Sequence, residues 1–376
     1  MLLLHEITHI LVFDDYLYDF YKFKGNVTIT KIINGVNRTL IATPKVKDIA
    51  SQHFNCSSLE GVELENQGGV GSAGSHWEAR VMLGDYMIST EYQEIEISDI
   101  TLALFEDSGW YEVNYYTGGL FRFGKGLGCE FLNSTCVTSG KSNFEWEFCT
   151  SDILEDLCTS NNLNRGFCFL TEYDNNEIET HYQYFDNPIK GGEESADYCP
   201  VVIEYLSENY YFGTNCMNGE LYYGEKYYPS SLGFSISENS ICIQSSLVNS
   251  SDSSLRYYNG KKRAMCHEIS CNYDNETFTV NIGQTTIDCP TEGGEIEVEG
   301  YNGTIKCPPY NRVCTSETYT GDPIKAVLNH LTNSDLDYLF KYTEDSSDNE
   351  FFDIYDFNEF LFISIYKYLL ILVFLF

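Results

Sequence analysis

The sequence predicts an α+β fold: a front region of helices and strands, then a disulfide-rich, mostly β and loop region, then an apolar C-terminal helix. Three observations predict it. Apolar residues frame polar ones at helical spacing over residues 2–13. Thirteen of the 14 cysteines crowd between Cys129 and Cys314. The last 17 residues, Phe360 to Phe376, are nearly all apolar. A chain of 376 residues has room for two or three domains.

The first element is the helix over 2–13. Leu2-Leu3-Leu4 and Ile10-Leu11 frame His5-Glu6-Ile7-Thr8-His9. Residues four apart share a helix face, so both imidazoles can grip one ion, with Glu6 one step round from His5. This HExxH pattern is a zinc-peptidase signature. Zinc lowers the pKa of its bound water to about 7, and a glutamate takes that water's proton. The plainer reading is an amphipathic helix with solvated histidines. A zinc site also needs a third protein ligand, and Ile10 to Asp15 contains no histidine.

Next come two strands at 27–33 and 36–43, joined by Asn34-Gly35, a hairpin turn signal. The glycine-rich run from Gly68 to Glu78 contains His76, which stands out from His53, His181, His267 and His330 by these surroundings. Glycines let a backbone fold tightly. His76 is either the missing ligand or a plain loop histidine. Met87, within Asp85 to Ser89, is either the floor beneath a zinc site or an ordinary core methionine. Residues 98–111 read as a capped helix, with Ser98 or Asp99 as N-cap and Gly109 as the stop.

These pieces together resemble the leishmanolysin family of surface zinc metallopeptidases, which carry a large insertion between the second and third zinc histidines. The matching segments are HEITHILVF at 5–13, GSHWEARVMLGDYM at 74–87, ITLALFEDSGWYEVNY at 100–115 and GKGLGCEF at 124–131. The resemblance covers residues 1 to about 220 well and is looser beyond. It implies the C-terminal part of a metzincin-like zinc peptidase domain over 1–117. It also implies Zn2+ held by His5, His9 and His76, Glu6 as general base and Met87 as the Met-turn. The family motif continues HExxHxxGF, and this chain has Val12 in place of the glycine. A β-branched residue suits positive φ poorly, so the helix is expected to run past Val12 or the turn to be strained. The family also has a sheet-bearing subdomain ahead of this helix. Met1 therefore reads as an internal methionine of a longer protein or the start of a degenerate copy, and the apolar helix needs a partner to bury against.

Charge and cysteines bound the environment. The chain has 56 acidic and 22 basic residues, a formal net charge of −34. That argues against nucleic acid, whose phosphates need Lys and Arg, and against docking on anionic lipid. The irregular cysteine spacing, with no CxxC pair, favours up to seven disulfides over a second metal site. Cys56, alone in the insertion, is expected to pair with a distant partner. Asn-x-Ser/Thr sequons at Asn26, Asn37, Asn55, Asn133, Asn249, Asn275 and Asn302 fit a secreted glycoprotein.

Residues 118–320 form the cysteine-rich domain, expected as loops and short strands. Residues 321–348 form a stem with a helix over Ala326–Tyr342, and 349–376 an apolar anchor signal. Small residues near Ser346, an 11-residue spacer Asn349–Glu359 and the apolar tail fit a GPI signal; a tail anchor and a buried core helix remain as alternatives. The expected function is a zinc-dependent endopeptidase acting on proteins or peptides at the cell surface, attached to the membrane through its C-terminal tail. The alternative is a non-catalytic, disulfide-rich surface or adhesion protein derived from such a peptidase.

Overall fold

The computed structural model describes residues 2–69, 71–90, 95–113, 115, 121–150, 156–174, 178–204, 215–217, 232–252 and 260–314. The stem, spacer and apolar tail lie outside these residues. No helix among the described residues is long and apolar enough to cross a membrane.

The front region opens with α1, Leu2–Leu11, and a short α2, Asp15–Tyr18. β1, Thr28–Ile33, and β2, Val36–Ile41, then pair as a hairpin closed by Ile33 opposite Val36. Asn34 at φ 50° and Gly35 at φ 81° supply the two left-handed positions that this two-residue turn demands. β3, Val62–Glu63, adds to β2 and completes a three-stranded antiparallel sheet.

The insertion is not only strand and loop. It contains an 11-residue helix, α3, Pro44–Phe54. Its sequence signal is Pro44 at the first helical position, where the missing N–H costs nothing. Thr43 makes no side-chain cap there. The Asp107 carboxylate caps α3 instead, accepting from the Lys45 N–H at 2.9 Å and the Val46 N–H at 3.0 Å. α4 is Ala79–Met82. Asp107 belongs to α5, Asp99–Ser108, which begins with the Ser98 hydroxyl accepting the Thr101 N–H and ends on Gly109 at φ 72°. Both ends of α5 match the sequence reading, because both caps are local. α6 is Gly128–Asn133.

The first core runs from Val12 and Phe13 through Phe54, Trp77, Met82, Met87 and Leu104 to Phe131, Phe148 and Val201. It is therefore shared by residues on both sides of positions 116–120. A small sheet follows, formed by β4, Leu157–Cys158, β5, Arg165–Cys168, and β6, Val202–Glu204.

The rear region is more regular than loops and short strands. β7, Ser240–Ser245, β8, Arg263–Asn272, β9, Thr277–Ile282, β10, Thr285–Cys289, β11, Gly294–Glu297, and β12, Thr304–Cys307, make a six-stranded sheet in the order β10-β9-β8-β7-β12-β11. Every pairing in it is antiparallel. β9 alternates half-buried and buried residues along its length, and Phe278, Val280 and Ile282 enter the second core.

All 14 cysteines pair, as Cys56–Cys129, Cys136–Cys199, Cys149–Cys168, Cys158–Cys242, Cys216–Cys266, Cys271–Cys314 and Cys289–Cys307. Cys56 does reach a distant partner, 73 residues on. Such a framework fits an extracellular or surface location.

Glu96 carries a titration signal. Its backbone lies between Gly84 and Tyr86, and Oε2 is enclosed with no hydrogen-bond partner among the described residues. Burial pushes its carboxyl from the ordinary 4.5 up to about 7, Arg122 opposing and Asp85 reinforcing. Between those values the folded state binds a proton that the unfolded state has released. This contribution is therefore full below about 4.5 and is lost as pH rises to about 7, by at most about 1.4 kcal/mol per pH unit. Glu96→Gln should flatten that decline, read as denaturant midpoints at pH 5 and pH 7.

Candidate metal centre

α1 sets the first two imidazoles on one face, four residues apart, and the glycine-rich loop carries the third. The Nε2 atoms of His5 and His9 are 3.0 Å apart, those of His5 and His76 3.1 Å, and those of His9 and His76 3.2 Å. Every Nδ1 faces a backbone carbonyl, which can only accept. His5 Nδ1–H donates to Tyr86 O at 2.6 Å, His9 Nδ1–H to Phe13 O at 2.8 Å, and His76 Nδ1–H to Ser72 O at 3.0 Å. Each ring thus holds its proton on Nδ1 and turns a bare Nε2 lone pair toward the other two.

Three lone pairs pointed at one another repel unless a cation sits among them. Tetrahedral zinc at about 2.0–2.1 Å from each nitrogen asks for nitrogens roughly 3.3 Å apart, close to the spacing found. Three imidazoles with one position left over is the donor set of a catalytic zinc site. Among the described residues these three form the cluster of His, Cys, Asp or Glu groups able to hold an ion. Burial, with His9 and His5 close by, holds the His76 imidazole down to about 4 although the Ser72 carbonyl pulls it upward, so the ring is neutral at physiological pH.

The turn after α1 differs from both sequence expectations. The helix stops at Leu11 rather than running past Val12. Val12 does not enter the left-handed region. The N–H groups of Val12 and Phe13 both donate to Thr8 O at 2.9 Å, which brings the chain round without positive φ. The Val12 side chain is fully buried in the first core. The last carbonyls of the helix need partners. Tyr111 donates its hydroxyl to Leu11 O at 3.1 Å and Tyr21 to Val12 O at 2.8 Å. This turn delivers the Phe13 carbonyl that orients His9. The outward side of α1 leaves Leu2, Leu3 and Ile10 exposed.

Met87 is fully buried and its turn ties the site to α5. Its N–H donates to Asp85 Oδ1 at 2.7 Å, and its carbonyl accepts the Trp77 N–H at 2.9 Å. The adjoining Tyr86 supplies the carbonyl for His5, and its hydroxyl lies 3.0 Å from that of Thr8 on α1. Trp77, next to His76, donates its indole N–H to the Thr101 hydroxyl at 2.7 Å, which donates in turn to Asp85 Oδ2 at 2.8 Å. Glu6 stands one residue from His5 with its side chain exposed.

The family model described as Leishmanolysin, peptidase M8, matches residues 2–320. The chain belongs to the leishmanolysin family. That is a family of metallopeptidases. A leishmanolysin-like peptidase of Drosophila pseudoobscura pseudoobscura is 30% identical over 331 residues, covering 78% of this chain and 48% of its own length. The leishmanolysin homolog of Crithidia fasciculata is 28% identical over 346 residues, 88% of this chain and 49% of that protein. Leishmanolysin of Leishmania major is 26% identical over 320 residues, 82% of this chain and 50% of that protein. The chain spans about half the length of these curated relatives.

The structure brings His5, His9 and His76 together and packs Met87 in the turn that holds His5. Sequence reasoning missed the carbonyls of Phe13, Ser72 and Tyr86, and the tyrosines at 21 and 111. Tyr86 and Tyr111 act across 81 and 100 residues that only the fold closes, whereas Phe13 and Ser72 lie four residues from their histidines but act through backbone carbonyls, which every residue carries and no side chain marks.

Thr101→Val removes the acceptor of the Trp77 N–H and a donor to Asp85 in one step. Leaving such buried groups unpaired costs about 1–3 kcal/mol each. The denaturant midpoint should fall accordingly, and Thr101→Ser, which keeps the hydroxyl, should lose distinctly less.

Proposed function

We propose that this chain carries the active site of a zinc-dependent endopeptidase that hydrolyses peptide bonds of proteins at the cell surface. The observation that supports it most is the convergence of three Nε2 lone pairs, each fixed by a carbonyl on the far side of its ring. A site for ordinary hydrogen bonding would not be built this way, because no proton lies between the three nitrogens.

His5, His9 and His76 would hold the ion through Nε2. Zinc, when bound, supplies a Lewis acid that polarises the scissile carbonyl and makes water a nucleophile at neutral pH. His5 and His9 are only half-buried, which leaves the cluster open to a peptide and to water. Glu6, exposed on the same helix, acts as general base. One carboxylate oxygen takes a proton from the attacking water and passes it to the departing amine nitrogen, which leaves as a neutral amine. Membership of a metallopeptidase family supports protein substrates, and seven disulfides support the surface location. Attachment through the C-terminal apolar tail completes the proposal.

The purified chain should bind one zinc per molecule by elemental analysis, and His5→Ala and His76→Ala should each lose it. Glu6→Gln should keep the zinc and lose about 100-fold or more in cleavage of a quenched fluorescent peptide. A wild-type chain that takes up no zinc overturns the reading. Zinc uptake with no cleavage of any peptide favours the non-catalytic surface protein instead.

A further inference from the structure

We infer that Asp197, far along the chain in the cysteine-rich region, is a positioning residue for the third metal ligand, His76. The inference rests on the zinc-site reading above and adds to it a residue that the HExxH pattern and the glycine-rich loop do not contain.

The Asp197 carboxylate is fully buried. Oδ1 accepts from Gln67 Nε2 at 3.2 Å and from Arg38 Nη1 at 3.0 Å. Oδ2 accepts from Arg38 Nη2 at 2.7 Å and from Arg80 Nε at 3.2 Å. Gln67 opens the glycine-rich loop, and Arg80 follows it, four residues after His76. One carboxylate thus grips the loop on both sides of the ligand and ties it to β2 through Arg38. The two guanidiniums stay balanced because Arg80 also meets Glu63 at 2.6 Å and Arg38 lies 3.5 Å from Glu78. Glu78, two residues past His76, takes the Arg80 N–H at 3.0 Å.

The backbone around Asp197 is held against its own preference. Asp197 at φ 57° and Tyr198 at φ 60° are consecutive left-handed residues, and neither is glycine. Such a pair persists where its surroundings over-determine it. Here the Tyr198 N–H is fixed on Glu193 O at 2.8 Å, and Cys199 is fully buried and bonded to Cys136, three residues beyond α6. The peptide backbone aims the carboxylate between Gln67 and the two arginines and is locked there by the disulfide.

A role limited to general stability would leave the metal untouched. The distinction is made on the full chain with Zn2+ and Co2+ as probes. Asp197→Asn keeps the shape but removes the charge and turns an amide toward two arginines. Its zinc dissociation constant, measured by chelator competition, should rise about tenfold or more, and the visible spectrum of the cobalt-loaded protein should change as the third nitrogen shifts. Glu147→Gln, which breaks the buried Arg312–Glu147 pair elsewhere in the fold, should lower the melting temperature and leave zinc affinity and the cobalt spectrum as in the wild type. Where Asp197→Asn does not fold, Gln67→Ala decides, since it removes one donor and strands no charge; zinc affinity should fall by a few-fold. Wild-type zinc binding with an unchanged constant and spectrum in Asp197→Asn, or in Gln67→Ala where that variant decides, overturns the positioning role alone. Absence of zinc from the wild type overturns the zinc-site reading beneath it.

Discussion

Three imidazoles can offer bare lone pairs to one point only if something on the far side of each ring holds its proton. In this chain that something is always a backbone carbonyl, from Phe13, Ser72 or Tyr86. Carbonyl oxygens move only when the chain moves, so the site needs three fixed pieces of backbone rather than three well-placed side chains. Much of the front region serves that need. Tyr21 and Tyr111 hold the end of α1, and the Trp77–Thr101–Asp85 chain of hydrogen bonds joins the loop of His76, α5 and the turn of Met87.

Legibility in the sequence followed distance along the chain. The HExxH spacing, the Asn34-Gly35 turn and both caps of α5 are local, and each formed as read. The cap of α3 was not legible, because its acceptor is Asp107, more than sixty residues away. Pro44 at its first position is the local mark of that helix. Val12 misled for a different reason. A motif that expects glycine suggested a left-handed turn, whereas two N–H groups sharing the Thr8 carbonyl turn the chain with an ordinary residue. In the rear region the crowded cysteines point to loops and short strands. The half-buried alternation of β9 shows that strands already carried a core there, with the disulfides added to it. Pairing of 14 cysteines has no sequence rule at all.

The balance of charge has an inside and an outside. Seven of the 22 basic residues are arginines, and Arg38, Arg80, Arg122, Arg263 and Arg312 are all buried. Arg38 and Arg80 answer buried carboxylates, and Arg312 answers Glu147. Burying one member of such a pair without the other would be strongly destabilising, which makes these networks a condition of the fold rather than an added source of stability. The surface keeps the surplus of acid, which keeps the molecule dispersed and turns away polyanions.

The disulfide between Cys136 and Cys199 places a date on the site as well as a strut beneath it. His5 and His9 are made well before Asp197 and Cys199. The residues that bracket the loop of His76 are complete only when position 197 has emerged, and they are locked only after Cys199 has been oxidised. A nascent chain in a reducing compartment therefore carries the first two histidines without the frame for the third. On this ordering, the metal binding proposed for the three histidines follows oxidation, and the compartment that closes the disulfides is also the one in which the cluster is completed.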